Sequence, residues 1–468
     1  MSEASELPAG LLLAFYGDDF TGSSAVMEVM TFAGLPSVMF VKPPTAEQIE
    51  RFSGYRAIGV ASVARAQPPS WMDAELPKAF AALAALGAPV THYKICSTLD
   101  SSPTIGSIGR AIDIGAPIFG ARPGAAQWRP LVVAAPAIGR YQAFGNLFAA
   151  HADAVYRLDR HPAMQRHPVT PMHEADVRLH IAEQTTQPIG LIDFAAMKDG
   201  SGRRRFEEEC RAGRSTISLD VVDDETLRWV GALIWENRGA GLFAIGSQGL
   251  EYALIAHWRA SDALPAFAPR VQTREIKQVV VASGSTSAAT AAQIEWAEAN
   301  GFEVVALDAV AAFDERDWRA AVEAAVDGAR AALSRGRSPL VATARGPHDP
   351  TIASLREKLS SARLEPAAIS ARIGSGLGEI VGRVAREARL TRGAISGGDT
   401  SGFAMGALGG YALEAIAPLA PGSPLCRVFS AESGLDGFEI ALKGGQMGAP
   451  DFFGSVRAGR AINEWRTT

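Results

Sequence analysis

The chain has 468 residues, 47% hydrophobic and 20% charged, which is the balance of a folded globular protein long enough for more than one core. A formal net charge of −5 excludes the basic footprint of a nucleic-acid or anionic-membrane binder, so an anionic ligand would have to be held by local donors. Three scattered cysteines, none in CxxC spacing, exclude a disulfide framework or a zinc cluster as the organising element.

From the N-terminus, "MSEASELPAG" is short and polar, and the apolar run after it reaches Asp18 and Asp19 too soon for a signal peptide. No stretch is apolar for the length of a bilayer, so a cytoplasmic protein is expected. "GLLLAFYGDD", "PSVMFV", "AIGVAS", "VTHYKIC" and "RPLVVAAPA" are strand-like runs separated by helical stretches such as "SSAVMEVMTFAGL" and "ELPKAFAALAALG". Strands buried on both faces and joined by helices predict parallel βαβ crossovers. "GLFAIGSQGLEYALIAHWRA" closes this half with another strand, turn and helix. A proline-rich polar segment (261–277) then interrupts the alternation. A second series follows: "QVVVASGS", "FEVVALD", "ERDWRAAVEAAVDGARAALSRG", "SPLVATARG", "GEIVGRVAREARL", "RGAISGGD", "SGFAMGALGG" and an apolar C-terminal stretch. The expected fold class is α/β, two α/β domains with mainly parallel sheets and an interdomain active-site cleft. The boundaries are 1–264, a linker at 265–277, and 278–468.

Three strand-to-helix junctions carry candidate chemistry. In "ISGGDTSG", Gly397 and Gly398 let the backbone approach a ligand closely, and Thr400 or Ser401 can cap the helix that follows. The unpaired amides and dipole of that helix start make an anion site of the kind that holds phosphate. Asp399 beside a phosphate makes sense as a Mg²⁺ ligand or as a proton acceptor. "VVVASGSTSAATAAQ" repeats the arrangement around Ser283, Gly284 and Ser285, and "LKGGQMGAPDFF" sets Gly444 and Gly445 behind Lys443. No GxxxxGK[ST] pattern occurs, which argues against a P-loop, and "GSGLGEIVG" lacks the spacing of a dinucleotide fingerprint. "YGDDFTGSS" ends the first strand, where open α/β sheets place ligand residues. One of Asp18 and Asp19 can turn inward while the other caps the helix. Arg65 and Lys94, after two other strands, are candidate partners for a carboxylate substrate.

Other signals carry less. His161, His167, His173 and His180 do not share a helix face, and prolines interrupt them, so no metal site is expected. His348 and Asp349 in "ARGPHDP" read as a surface turn, "GRRRFEEEC" as a solvated helix face, and Cys96 as a buried small residue.

Taken together, "GDDFTG", "YKICSTLDSS", "RHPVTPM", "SGGDTSG" and "LKGGQMGAPDFF", in that order, resemble the signatures of the four-carbon acid sugar kinases. That family phosphorylates acids such as threonate, erythronate and 3-oxo-tetronate with ATP. The resemblance implies an N-terminal domain for the sugar acid and a C-terminal domain for ATP with Mg²⁺. It implies substrate contacts from Asp18, Asp19, Arg65, Lys94, Ile95, Cys96 and Ser97. ATP contacts are implied from Ser285, Ser396, Gly397, Gly398, Asp399, Gly444 and Gly445. Asp399 is the first candidate for the catalytic base and Asp19 the second. Thr98 and Ser101 are further hydroxyls for the acid. "ASVARAQ", "IGSIGRA" and "YQAFGNLF" depart from the family pattern, all in the substrate half, so they bear on which acid is used. The expected partners are a small sugar acid and ATP, with no nucleic acid and no membrane, and a homodimer is a possible assembly. A nicotinamide-dependent hydroxy-acid dehydrogenase and a non-catalytic sugar-acid-binding protein are the alternatives.

Overall fold

The structure, a computed structural model, describes residues 6–267, 273–361 and 366–461, with the Asp399 side chain left out. Two compact units divide the chain near residue 268, and Val38–Pro44 is grouped with the second unit. Part of the expected linker, 268–272, lies outside the described residues.

The first unit is built from β1 (Leu13–Gly17), α1 (Phe20–Phe32), α2 (Ala46–Glu50), β3 (Ala57–Ala61), α3 (Pro69–Ala85), β4 (Val90–Lys94) and α4 (Ile108–Gly120), with β2 (Ser37–Phe40) leaving it after α1. It continues through β5 (Arg129–Val132), a hairpin region of β6 (Arg140–Ala143), β7 (Asn146–His151) and β8 (Ala154–Arg157), then α5 (Val177–Ala182). β9 (Ile189–Ile192), α6 (Phe194–Lys198), α7 (Gly202–Arg211), β10 (Thr216–Leu219), α8 (Asp224–Glu236), β11 (Leu242–Gly246) and α9 (Gly249–Ala260) complete it. The sheet order is β3-β1-β4-β11-β5-β10-β9, parallel throughout. The strands β1, β3, β4 and β11 are buried on both faces, as their unbroken apolar runs require. An aromatic cluster of Tyr16, Phe80, Tyr93, Phe119 and Phe243 fills one side.

The hairpin region was not anticipated. β6, β7 and β8 form a separate antiparallel sheet, and buried Asp220 anchors it by accepting from Gly145 N (3.0 Å) and Gln142 Nε2 (3.0 Å).

The second unit runs β12 (Val280–Ser283), α10 (Ala288–Ala299), β13 (Phe302–Ala306), α11 (Glu315–Ser334), β14 (Ser338–Ala342), α12 (Pro350–Ser361), α13 (Pro366–Ala388), β15 (Arg392–Ser396) and α14 (Gly398–Leu408). β16 (Gly410–Ala420), β17 (Ser423–Ser430), β18 (Glu439–Lys443) and α15 (Phe452–Ala458) follow. Its sheet order is β13-β14-β12-β15-β18-β17-β16-β2. The first five strands are parallel; β17, β16 and β2 extend them antiparallel, so the sheet is mixed. Its core gathers Val281, Ile294, Phe302, Leu340, Ala394, Ala441 and Phe453.

The glycine run in α13 has a packing cause. A Cβ at Gly378 would sit 2.2 Å from the Ala404 carbonyl oxygen, and one at Gly376 would sit 2.4 Å from the Trp318 ring. Glycine there lets α13 approach α14 and α11 closely. Among the described residues no helix is long and apolar enough to cross a membrane.

Candidate active site

In the first unit, the C-terminal ends of β3, β1, β4 and β11 lie in register: Gly17 is opposite Ala61 and Lys94, and Lys94 opposite Gly246. The chain turns there from strand to loop, which brings Asp18, Asp19, Arg65 and Lys94 together. Asp19 caps α1, its Oδ1 accepting from Gly22 N at 2.9 Å, while its Oδ2 accepts from Arg65 Nη2 at 2.8 Å. Both Asp19 oxygens are thus occupied. Asp18 is 2% exposed, and its Oδ1 has no hydrogen-bond partner. Burial pushes the Asp18 carboxyl up to about 7; Arg65 and Lys94 pull against that shift, and Asp19 and Asp100 add to it. Burial disfavours the Arg65 charge, yet Asp19, Cys96, Asp18 and Asp100 around it hold the guanidinium well above its ordinary value.

Lys94 is buried, and its Nζ donates to the Ile95 carbonyl at 2.7 Å. Ile95 itself is fully buried, so it offers backbone only. Cys96 Sγ lies 3.0 Å from Thr98 Oγ1, which donates to Asp100 Oδ1 at 2.7 Å. Burial, with Asp100, pushes the Cys96 thiol up to about 11, which fits an inert residue. Ser97 is half-buried beside it. Leu99 holds a left-handed φ of 53°. Ser101 Oγ is fixed by the Leu99 carbonyl (3.0 Å) and by His180 Nε2 (2.9 Å), so it supports this loop from beneath.

In the second unit, Ser283, Ser396 and Lys443 stand side by side at the ends of β12, β15 and β18. Beyond them three glycines converge. A Cβ on Gly284 would meet Thr400 Oγ1 at 2.6 Å, one on Gly397 would meet it at 2.7 Å, and one on Gly445 would meet Ser285 Oγ at 2.6 Å. Gly397 is the N-cap of α14 with φ 131°, and among the described residues no side chain caps that helix. These residues border a cavity of about 320 Å³. Its glycine end is Gly284, Ser285, Gly397, Gly398, Thr400 and Gly445; its other wall includes Ile352 and Leu355 of α12 and Ile373 of α13. No residue of α12 is fully buried, so Ile352 and Leu355 are apolar groups facing the cavity rather than a core.

Ser396 is fully buried with its Oγ 3.5 Å from Thr290 Oγ1, below the cavity rather than on its wall. Gly444 turns its carbonyl to Lys443 Nζ (3.0 Å) and Gly445 reaches the wall. Asp399 lies in the first turn of α14; its side chain lies outside the described residues. His161 and His180 are buried, and among the described residues no cluster of three metal-ligating side chains occurs.

Residues 13–254 match the sugar-binding N-terminal domain family, and residues 280–453 match the nucleotide-binding C-terminal domain family. The chain belongs to the four-carbon acid sugar kinase family. It is 48% identical to 3-oxo-isoapionate kinase of Paraburkholderia graminis, an alignment covering 98% of this chain and 97% of that one. It is 28% identical to 3-oxo-tetronate kinase of Pseudomonas fluorescens, over 96% and 98% of the two chains. A Haemophilus influenzae crystal structure shares the fold with a TM-score of 0.70 at 23% identity, covering 96% of this chain and 100% of its own. This family member is accordingly an ATP-dependent kinase of the four-carbon sugar-acid type, with a sugar-binding first domain and a nucleotide-binding second one. The dehydrogenase and binding-protein alternatives gain no support from these matches.

Sequence reasoning gave no role to Lys443, to Thr290 or to the apolar wall of α12 and α13. Lys443 had a signal, a lysine at a strand end followed by two glycines. Thr290 had none, being one small residue in a helix rich in them. Ile352 and Leu355 read as an ordinary apolar helix face, because sequence cannot say that their neighbour is an empty slot.

Proposed function

We propose that this kinase phosphorylates the terminal hydroxyl of a 3-oxo sugar acid, and that the acid is of the isoapionate type rather than a linear tetronate. The supporting observation is the 48% identity to a 3-oxo-isoapionate kinase, against 28% to a 3-oxo-tetronate kinase, both over nearly the whole chain. The departures at Ala61-Ser62, 105–111 and 141–148 lie in the sugar-binding half, consistent with a changed acceptor.

In this reading Arg65 and Lys94 hold the substrate carboxylate, and Asp19 keeps Arg65 aimed through its 2.8 Å bond. Asp18, Thr98 and the loop from Lys94 to Ser97 meet the remaining oxygens. The triphosphate lies against the amides of Gly398 and Gly445 with Ser285, where a helix start offers donors and partial positive charge, and Gly397, whose own amide is tied to the Lys443 carbonyl, shapes the turn. The adenine lies against Ile352, Leu355 and Ile373. During transfer a bond forms between the acceptor oxygen and the γ-phosphorus, the bond from γ-phosphorus to the β-bridging oxygen breaks, and ADP leaves. The acceptor's proton passes to a carboxylate: Asp399 is the first candidate, and Asp19, which already accepts from Gly22 N and Arg65 Nη2, is the second. The described residues around the cavity offer hydroxyls and amides, and Mg²⁺ would enter with ATP as its counter-ion.

The test is ADP release, coupled to NADH oxidation, over a panel of 3-oxo-isoapionate, 3-oxo-tetronate, D- and L-threonate and D- and L-erythronate. The isoapionate acid should give the largest kcat/KM. A tetronate preferred over it would overturn the substrate assignment.

A further inference from the structure

Lys443 is 0% exposed at the end of β18. Burying an ammonium costs free energy unless something compensates. Its described partners are neutral: Nζ donates to the Gly444 carbonyl at 3.0 Å, to Thr290 Oγ1 at 3.3 Å and to the Gly445 carbonyl at 3.4 Å, and the Phe452 ring centre is 6.0 Å away. Its own carbonyl accepts from Gly397 N at 2.9 Å. One residue therefore ties together three walls of the cavity: the start of α14 through its main chain, and the glycine turn and the start of α10 through its amine. Thr290 extends the tie, its Oγ1 lying 3.0 Å from both Ser285 Oγ and the Gly445 carbonyl.

We propose that Lys443 is a positioning residue for the triphosphate: its buried positive charge sets the affinity for ATP while its hydrogen bonds hold the Gly445 and Ser285 contacts in place. The inference rests on the reading of this cavity as the ATP site. Lys443 does not line the cavity, so it acts through Thr290 and the glycine turn. Burial pulls the Lys443 amine down to about 8. The amine is charged below that value and neutral above it, so ATP affinity holds below about pH 8 and falls as pH rises through it. The groups facing Lys443 are Thr290 from α10, Ser396 from β15 and Phe452 from α15; Asp451, beside Phe452, faces Arg460 at 3.8 Å. From α14 the ionisable group is Asp399.

The experiment measures KM for ATP, KM for the sugar acid and kcat from pH 6.5 to 9.5 in the full-length wild type, K443M, K443R and D399N, with thermal melts as the folding control. Wild-type KM for ATP should rise above pH 8, with KM for the acid unaffected. K443M should show a KM for ATP roughly 10- to 100-fold higher at pH 7, the range lost with a charge-assisted hydrogen bond. K443M should also lose the dependence on pH, whereas K443R should recover part of the affinity and titrate no group in this range. D399N should keep the wild-type inflection. A wild-type KM for ATP flat across pH 8, or an inflection retained in folded K443M, would overturn the inference. Ser285→Trp, which should block the cavity, separates the two failures. If it raises KM for ATP while the Lys443 variants do not, only the role of Lys443 fails; if it does not, the cavity assignment fails as well.

Discussion

Replacing Gly397 with alanine puts the proposed phosphate cradle under direct strain. Gly397 has φ 131°, a conformation that L-residues rarely adopt, and an added Cβ would lie 2.7 Å from Thr400 Oγ1 and 3.0 Å from Thr400 Cβ. The backbone term alone is of order 1–3 kcal/mol. The contact with Thr400 adds to it, because Thr400 Cβ cannot rotate away as a terminal atom could. The strain is relieved most cheaply by shifting the Gly397–Gly398 turn, and a displacement of about 1 Å in a positioning element can cost about 100-fold in rate. The expected result is a KM for ATP at least tenfold higher, a lower kcat and an unchanged KM for the sugar acid. The control is Gly336→Ala, where φ is 75° and nothing lies within 4 Å of the new Cβ. That change should cost about 1–2 kcal/mol of stability and leave both KM values alone. Coupled ADP release gives the kinetic constants, and thermal melts give the stability. A folded Gly397→Ala enzyme with wild-type KM for ATP would refute the claim that these amides hold the triphosphate.

Arg65→Ala should raise KM for the sugar acid tenfold or more through the lost charge-assisted contact, with KM for ATP unchanged; equal effects on both would remove Arg65 from the carboxylate site. Asp18→Asn should change how stability depends on pH. A carboxyl raised from an ordinary value near 3.8 to about 7 binds its proton more tightly in the folded state, so wild-type stability falls as pH climbs between those values. Melting curves at pH 5 and pH 8 should therefore show Asp18→Asn gaining on the wild type at the higher pH, and a difference independent of pH would contradict the burial argument. Leu355→Arg, on the half-exposed face of α12, should raise KM for ATP severalfold with little loss of stability, since no core contact is broken. A loss of melting temperature without a change in KM would place Leu355 in packing rather than in the adenine wall.

The parallel strands that end at Gly17, Lys94, Ser283 and Ser396 were legible because strands buried on both faces must be apolar throughout, and helices between them leave little choice of direction. Direction was not legible where that reasoning stops. β16 and β17 are joined at Pro421-Gly422 without a helix, and their apolar content looks the same whichever way they run. The register breaks at Gly410, Ala415 and Ala417 also blur the period-two alternation that would have announced a hairpin. The pairing of Val38, Met39 and Phe40 with β16 is a contact between residues about 375 positions apart, and local pattern carries no trace of it. At the site, glycines were legible because their cost demands a reason. The division of labour between Asp18 and Asp19 was not, since it depends on which carboxylate reaches Gly22 N and Arg65.

One feature recurs in both units and bears on how a chain of net charge −5 holds two anions. Lys94 and Lys443 each end a central parallel strand, each is almost wholly buried, and each folds its amine back onto the carbonyl of the residue that follows. A solvated surface lysine would be screened within about 8–10 Å by salt and would offer an anion little. A buried amine near a ligand acts through a less polar medium, where the same charge is worth several times more. The carbonyl contact gives each ammonium a polar partner inside the fold without an opposite charge, so the residue is neither fully compensated nor free to swing away. Raising ionic strength from about 0.05 to about 0.5 M should therefore weaken neither substrate as much as it weakens typical surface-charge binding. KM values for ATP and for the sugar acid should each rise less than about threefold. A tenfold rise in either would mean that the corresponding anion is held by exposed charges, and would remove that unit's buried lysine from the argument.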